Sequence, residues 1–327
     1  MYNYKNILVT GGCGFIGSNF INEIFKNNSN KHIINIDCLN YCADQKNVDY
    51  ENTNNNKYTF IEGNICSMDL IKFILKEYQI DTIVHFAAQS HVDNSFSNSL
   101  QYTQDNIVGT HTLLEASRLY GKITRFIHVS TDEVYGESNL KEDEEKKTEY
   151  SILTPTNPYA ATKAGAEMIA MSYNHSYGMP IIVSRGNNVY GPRQYPEKLI
   201  PKFIKLLKEG QKLTIHGNGI NKRSFLYVSD VAEAFIKILE KGKVGEIYNI
   251  GSEDENEFSV MEVTKMIVSN IKETDKIDNY IEFVKDRDFN DKRYYIDNNK
   301  LKELGWKQKV KFKEGLIKTI DWYKNKL

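Results

Sequence analysis

Cysteine, proline and tryptophan are scarce in this chain: four, six and two among 327 residues. Cys13, Cys38, Cys42 and Cys66 all lie before residue 67 without the paired spacing of a zinc site, and four thiols in a chain of this length do not make a disulfide framework. Reduced thiols in a cytosolic compartment are expected, and no metal is called for. An excess of one charge is also missing. Forty-two basic residues face 43 acidic ones, a net charge of -1, so there is no electrostatic footprint for nucleic acid or an anionic membrane. No stretch approaches the roughly 18 apolar residues of a membrane span, and Met1 to Thr10 has no signal-peptide apolar region. A soluble, cytoplasmic protein is the expectation.

What is present begins with a glycine turn. Asn6-Ile7-Leu8-Val9 reads as a strand and runs into Gly11-Gly12-Cys13-Gly14-Phe15-Ile16-Gly17, after which Phe15, Ile16, Phe20, Ile21, Ile24 and Phe25 recur at helical spacing. Gly12, Gly14 and Gly17 fit G-x-G-x-x-G, while Gly11, Gly14 and Gly17 fit G-x-x-G-x-x-G. Either lets the backbone turn tightly against a pyrophosphate at the positive end of the following helix. A second strand, His32 to Ile36, ends in Asp37, 20 residues after Gly17, where a carboxylate would bond an adenosine ribose hydroxyl. That carboxylate would repel a 2'-phosphate, and no Arg follows at Cys38 or Leu39, which favours NAD over NADP. Tyr58 to Ile61 and Thr82 to Phe86 continue the strands, with a helix at Ser67 to Tyr78 between them. Ala87-Ala88-Gln89-Ser90 then supplies small residues against which a flat cofactor can lie. His91 and Asp93 read as a structural hydrogen-bonded pair, and a long helix is expected from about Ser99 to Tyr120.

Phe126-Ile127-His128-Val129 is a buried-strand pattern, and ligands of doubly wound folds bind outside the carboxyl ends of such strands. There follow Ser130-Thr131-Asp132-Glu133-Val134-Tyr135-Gly136. Adjacent carboxylates in different environments can serve as acid and base. Asn157-Pro158 caps a helix running to about Tyr177, which puts Tyr159 and Lys163 four apart on one face. An ammonium there is expected to lower the phenol from its usual pKa of about 10 toward neutrality. The charge run Lys141 to Glu149 reads as a solvated loop without chemistry. After the strand Ile181 to Ser184 the βα rhythm breaks.

The fold class expected is α/β: a Rossmann-type doubly wound parallel sheet with a smaller mixed α/β substrate-binding lobe. Residues 1–191, completed by about 227–251, form the NAD-binding part, and residues 192–226 and 252–327 the second, substrate-binding lobe. Within the lobe, Arg193, Arg223 and Arg287 suit a diphosphate better than a nucleic-acid backbone.

Together these motifs resemble the extended short-chain dehydrogenase/reductases, and within them the nucleotide-sugar 4,6-dehydratases. The resemblance spans Thr10 to Gly17, His85 to Asp93, Ser130 to Gly136, Tyr159 to Lys163 and Tyr195 to Pro201. Related 4-epimerases lack both carboxylates, and related decarboxylases usually carry Ser-Glu in place of Asp-Glu. The resemblance implies catalytic roles for Thr131, Asp132, Glu133, Tyr159 and Lys163. It implies NAD contacts at Gly11, Gly14, Phe15, Ile16, Gly17, Asp37, Asn64, Ile65, Ala87 and Ala88, with Tyr159 and Lys163. Substrate contacts transfer to Ser90, Asn188, Glu197, Lys198, Leu199, His216, Arg223, Arg287 and Asn290. The run Arg287-Asp288-Phe289-Asn290-Asp291-Lys292-Arg293-Tyr294 is similar to the dehydratase part of plant UDP-rhamnose synthases, which favours UDP-glucose over dTDP-glucose and suggests rhamnose formation. The family implies a homodimer through the helices near Ser99 to Tyr120 and Tyr159 to Tyr177. The competing readings are a UDP-sugar epimerase or decarboxylase of the same fold and a non-catalytic NAD sensor.

Overall fold

The computed structural model describes residues 2, 4–27, 31–49, 57–141, 143–286 and 290–326. Its strands are β1 (Asn6–Thr10), β2 (His32–Asp37), β3 (Tyr58–Glu62), β4 (Thr82–His85), β5 (Arg125–Val129), β6 (Ile181–Gly186), β7 (Asn188–Tyr190), β8 (Leu213–His216), β9 (Lys222–Tyr227), β10 (Ile247–Ile250), β11 (Glu257–Ser259) and β12 (Ile281–Val284). The α-helices are α1 (Phe15–Lys26), α2 (Met68–Glu77), α3 (Val92–Ser97), α4 (Ser99–Tyr102), α5 (Gly109–Tyr120), α6 (Pro158–Tyr177), α7 (Leu199–Lys208), α8 (Val228–Lys241), α9 (Val260–Lys272), α10 (Asn299–Glu303) and α11 (Phe312–Lys326).

Seven strands form one parallel sheet in the order β3-β2-β1-β4-β5-β6-β10. Its register is set by pairs such as Ile7 with Ile33 and with Thr82. The strands are apolar on both sides because both faces are covered. Ile7 and Val9 point to one face, against Phe20, Ile21 and Ile24 of α1 and Phe235 and Ile238 of α8. Leu8 points to the other, against Ile71 and Ile74 of α2, Leu113 and Leu114 of α5 and Ala170 of α6. Full burial of each such aliphatic or aromatic side chain stabilises the fold by about 1.5–3 kcal/mol. The strand order reverses at β1, between β2 and β4, and that is where a ligand crevice opens in this architecture.

The remaining strands form two small sheets, β11-β9-β7 and β12-β8. A separate apolar core lies under them, in which Phe203, Phe225, Ile267 and Phe312 are buried. β7 follows β6 after one residue and already pairs with β9, Asn188 against Phe225. β10 returns to the large sheet beside β6.

Two expectations are corrected. The helical run expected over Ser99 to Tyr120 is interrupted by a π-helical segment, Thr103–Val108. Its buried Asn106 accepts from Gln89 N at 2.7 Å and donates to Thr162 Oγ1 at 2.9 Å, so the extra residue per turn aims an amide at the β4 and α6 ends. The charge run is not a solvated loop throughout. Glu149 is buried and accepts from Asn249 N at 2.9 Å, and Lys147 bridges to Ile296.

Glu149 belongs to a buried polar network that places α6. Arg185 of β6 forks onto Glu167 of α6, with side chains 3% and 0% exposed. Its Nε lies 3.2 Å from each carboxylate oxygen. Arg185 also donates to Tyr135 OH at 2.6 Å and Glu149 O at 3.2 Å, and Tyr135 OH donates to Asn249 Oδ1 at 2.8 Å. Removing one partner would leave a buried, uncompensated charge. The Glu167→Leu protein is therefore expected to lose about 3–5 kcal/mol of stability in urea unfolding; a loss under about 1 kcal/mol would place the pair among ordinary surface bridges.

Candidate active site

The glycine turn leaves β1 and enters α1. Gly11 has φ +71°, and a Cβ there would lie 2.7 Å from the Ala87 backbone; a Cβ at Gly17 would lie 2.4 Å from Gly11 O. A Cβ at Gly12 would instead strike the Asn35 side chain. Gly11, Gly14 and Gly17, the G-x-x-G-x-x-G set, line the cleft, whereas Gly12 packs against Asn35. Gly14 caps α1 without a side-chain bond, which leaves first-turn amides facing the crevice, the donor arrangement that a pyrophosphate fits. At the end of β2, Asp37 accepts from Cys13 N and Leu39 N, each at 2.9 Å, and burial raises its carboxyl above the usual range.

Every residue expected to touch the cofactor lines this one cleft: Gly11, Gly14, Phe15, Ile16, Gly17, Asp37, Asn64, Ile65, Ala87, Ala88, Tyr159 and Lys163. Ser90, Glu197 and Lys198 line it as well. Lys198 Nζ donates to Ser90 O at 2.7 Å, which ties the segment before α7 to the end of β4. The loop after β2 was missed by motif reading. Its Tyr41 lines the cleft and donates to Glu197 Oε2 at 2.7 Å. The available signal was topological, since every loop leaving the carboxyl edge of the sheet borders the crevice.

The carboxylates expected to act as acid and base lie in the turn after β5. Thr131 caps the 3-10 turn Asp132–Tyr135. Asp132 receives Thr131 Oγ1 at 3.2 Å on one oxygen and Asn187 Nδ2 at 2.7 Å on the other. Glu133 Oε2 receives Asn157 Nδ2 at 3.0 Å and lies 3.4 Å from Tyr294 OH. Burial, with the Glu133 charge beside it, pushes Asp132 up to about 7, and burial raises Glu133 too. Asn157 is both the α6 cap, accepting from Ala160 N at 2.8 Å, and a donor to Glu133. The sequence announced only the cap.

Tyr159 and Lys163 share the inner face of α6, but their electrostatics differ from expectation. Burial and the Glu133 carboxylate raise the Tyr159 phenol, which the Thr131 hydroxyl bond only partly offsets. Lys163 donates to Val129 O at 2.5 Å, and burial lowers it to about 8. The protein's own groups thus keep Tyr159 protonated.

Several other expected residues lie outside the cleft lining. Asn188 is in β7, Leu199 opens α7, and His216 ends β8 with Nδ1 buried and unpartnered among the described residues. Asn290 donates to Asp286 at 3.0 Å. Arg223 stacks over the Tyr294 ring at 5.0 Å, and its charge lowers both Asp132 and Glu133. Arg193, expected on a diphosphate, is engaged instead by Asp49 at 2.7 Å. His91 caps α3 by accepting from Asn94 N at 3.4 Å, and the Asp93 charge favours its protonated form. Arg287 lies outside the described residues. No group of residues suited to a metal ion occurs among the described residues.

Comparison with known proteins places the chain in a family. The sequence pattern of the family described as GDP-mannose 4,6 dehydratase matches residues 8–319. A trifunctional UDP-glucose 4,6-dehydratase/UDP-4-keto-6-deoxy-D-glucose 3,5-epimerase/UDP-4-keto-L-rhamnose-reductase of Arabidopsis thaliana is 51% identical over 98% of this chain, which spans 47% of that protein. The chain is thus about half the length of its plant relatives. The human dTDP-D-glucose 4,6-dehydratase is 47% identical over 98% of the chain and 90% of its own length. Among solved structures, the dTDP-glucose 4,6-dehydratase DesIV of Streptomyces venezuelae, with NAD and TYD bound, superposes with TM-score 0.90 at 36% identity, covering 98% of this chain and 97% of that one. With its glycine turn and Tyr/Lys helix assembled on one cleft, its Thr-Asp-Glu turn beside Tyr159 and the family pattern matched over nearly its whole length, this chain belongs to the GDP-mannose 4,6 dehydratase family.

Proposed function

We propose that this chain is an NAD-dependent nucleoside-diphosphoglucose 4,6-dehydratase that converts UDP-glucose or dTDP-glucose to the 4-keto-6-deoxy sugar nucleotide. The observation that carries the reading is the pair Asp132, buried, and Glu133, partly buried, both raised, each with a different amide partner and both beside Tyr159. An epimerase has no use for that pair. The plant and human relatives and the NAD-bound neighbours support the same reading.

NAD would be held by the glycine turn, Asp37, Asn64, Ile65, Ala87 and Ala88, and when bound it supplies hydride acceptance at sugar C4 and hydride return to C6. The chain's own residues handle the protons. Tyr159 takes the proton of the C4 hydroxyl, assisted by Thr131; the positive charge of a bound nicotinamide would work against the burial that raises the phenol. The C4 ketone acidifies the C5 hydrogen, which Glu133 removes. Asp132, kept protonated by burial and by its neighbour, donates to the departing C6 hydroxyl. Ser90, Asn188, Glu197, Lys198, Leu199, His216, Arg223, Asn290 and Arg287 are proposed to grip the sugar nucleotide, with UDP favoured over dTDP and rhamnose formation as the setting. Two lobes, residues 1–191 with 227–251 and residues 192–226 with 252–327, would enclose it. A homodimer is proposed through α4, the π-helical segment, α5 and α6, where Leu100, Val108, Leu119 and Met168 are exposed. No helix among the described residues is long and apolar enough to cross a membrane, which accords with a cytoplasmic enzyme.

Incubated separately with UDP-glucose and dTDP-glucose, the purified protein should remove one water from at least one of them, read by mass spectrometry. Failure with both would sink the dehydratase reading. Glu133→Gln should abolish water loss and solvent-deuterium entry at C5 while leaving nicotinamide reduction measurable. The pH profile follows from the two carboxylates. Asp132 must keep its proton, so dehydration should fall as pH rises past about 7. Glu133 must lose its proton, so activity should also fall on the acid side, at a pH above the ordinary carboxylate range. A flat profile across this interval would contradict the assignment of roles.

A further inference from the structure

Glu133, the base of the reaction proposed above, shares its surroundings with a buried carboxylate that the reaction as written does not use. Asp291 is 3% exposed. Its two oxygens lie 3.1 and 2.9 Å from Thr156 Oγ1, and Tyr294 OH donates a short bond to its Oδ2. The same phenol oxygen stands 3.4 Å from Glu133 Oε2. A phenol has one proton to give. While Asp291 holds it, Glu133 Oε2 receives only the neutral Asn157 amide at 3.0 Å. Hydrogen bonds to the ionised form are what weaken a carboxylate as a base.

From this arrangement we propose that Asp291 is a positioning residue for the elimination: it holds the Tyr294 proton away from Glu133 and sets a second negative charge beside it, which keeps Glu133 basic enough to take the C5 proton. The inference rests on the dehydratase reading.

The groups facing Glu133 show why such a residue is needed. Lys198, before α7, and Arg223, on β9, both weaken it as a base, as does the Asn157 bond. Burial and the Asp291 charge act the other way. Asp132 from the same turn and the phenols of Tyr159 on α6 and Tyr294 complete the shell. Without Asp291, two cations and a released phenol proton would all favour a stable, inert carboxylate. Arg223 over the Tyr294 ring fixes the phenol between its two acceptors.

Asp291→Asn keeps the shape and removes the charge. It should slow C5 hydrogen exchange and water loss by about tenfold while nicotinamide reduction changes less than about twofold, and it should move the acid limb of the dehydration profile to lower pH. In a Tyr294→Phe background the effect of Asp291→Asn should shrink, since the contested proton is gone. Retained nicotinamide reduction also reports that the variant is folded. If Asp291→Asn gives no folded protein, Thr156→Val, which unpins the same carboxylate, should show the same selective loss at C5. Equal slowing of both half-reactions, an unmoved acid limb, or an undiminished effect in the Tyr294→Phe background would overturn the role of Asp291 alone. A wild-type protein that removes no water from either sugar nucleotide would overturn the dehydratase reading and this inference with it.

Discussion

A guanidinium and a carboxylate shut away from water fix the helix on which the chemistry depends. Burying Arg185 and Glu167 is costly unless the donors and acceptors are met, and here Tyr135 and the Glu149 carbonyl take both Nη1 donors. Those partners come from the turn after β5 and from the charged loop, while the pair itself joins β6 to α6. The relative placement of Tyr159 and Lys163 on one side and Thr131, Asp132 and Glu133 on the other is thereby over-determined. A shift of α6 would break several buried bonds at once, which suits a site whose reacting groups must stay within hydrogen-bond reach.

The two neighbouring carboxylates illustrate how environment divides labour. Asp132 is bonded by Asn187 and Thr131, whereas Glu133 faces Asn157, Tyr294, Lys198 and Arg223. Both are raised by burial; the Glu133 charge adds to the rise of Asp132, and the Asp291 charge to that of Glu133. The network continues outward to Asp291 and Thr156, so the polar surroundings of the base reach across to the segment after β12.

The cleft is shaped by the reversal of strand order at β1. β1 and β4 send the glycine turn and the Ala87-Ala88 segment to either side of it, and β5 sends the acid-base turn next to them. Tyr41 and Lys198 then span the opening, joining the loop after β2 and the end of β4 to the segment before α7. Groups expected on the cofactor therefore meet three of those expected on the sugar nucleotide, Ser90, Glu197 and Lys198, at one mouth.

The local chemistry was legible in the sequence. Strand, glycine turn and helix, the Asp37 spacing, the Thr-Asp-Glu run and the Asn-Pro cap before Tyr159 are all short-range patterns, and short-range patterns are set by backbone sterics and periodicity. The whole cofactor set lines one cleft for that reason. Tertiary structure alone decided what long-range packing controls. The close approach of Ala87 to Gly11 and the pairing of Arg193 with Asp49 are both long-range meetings. Burial raised Tyr159, although its helical spacing from Lys163 had suggested the opposite. The π turn that aims Asn106, the burial of Glu149 in a run that looked solvated, and the meeting of Glu133 with Tyr294 and Asp291 likewise join residues far apart in the chain. Sequence spacing carries no information about such meetings, because the desolvation and hydrogen bonding that govern them arise only when the two lobes and the sheet are assembled.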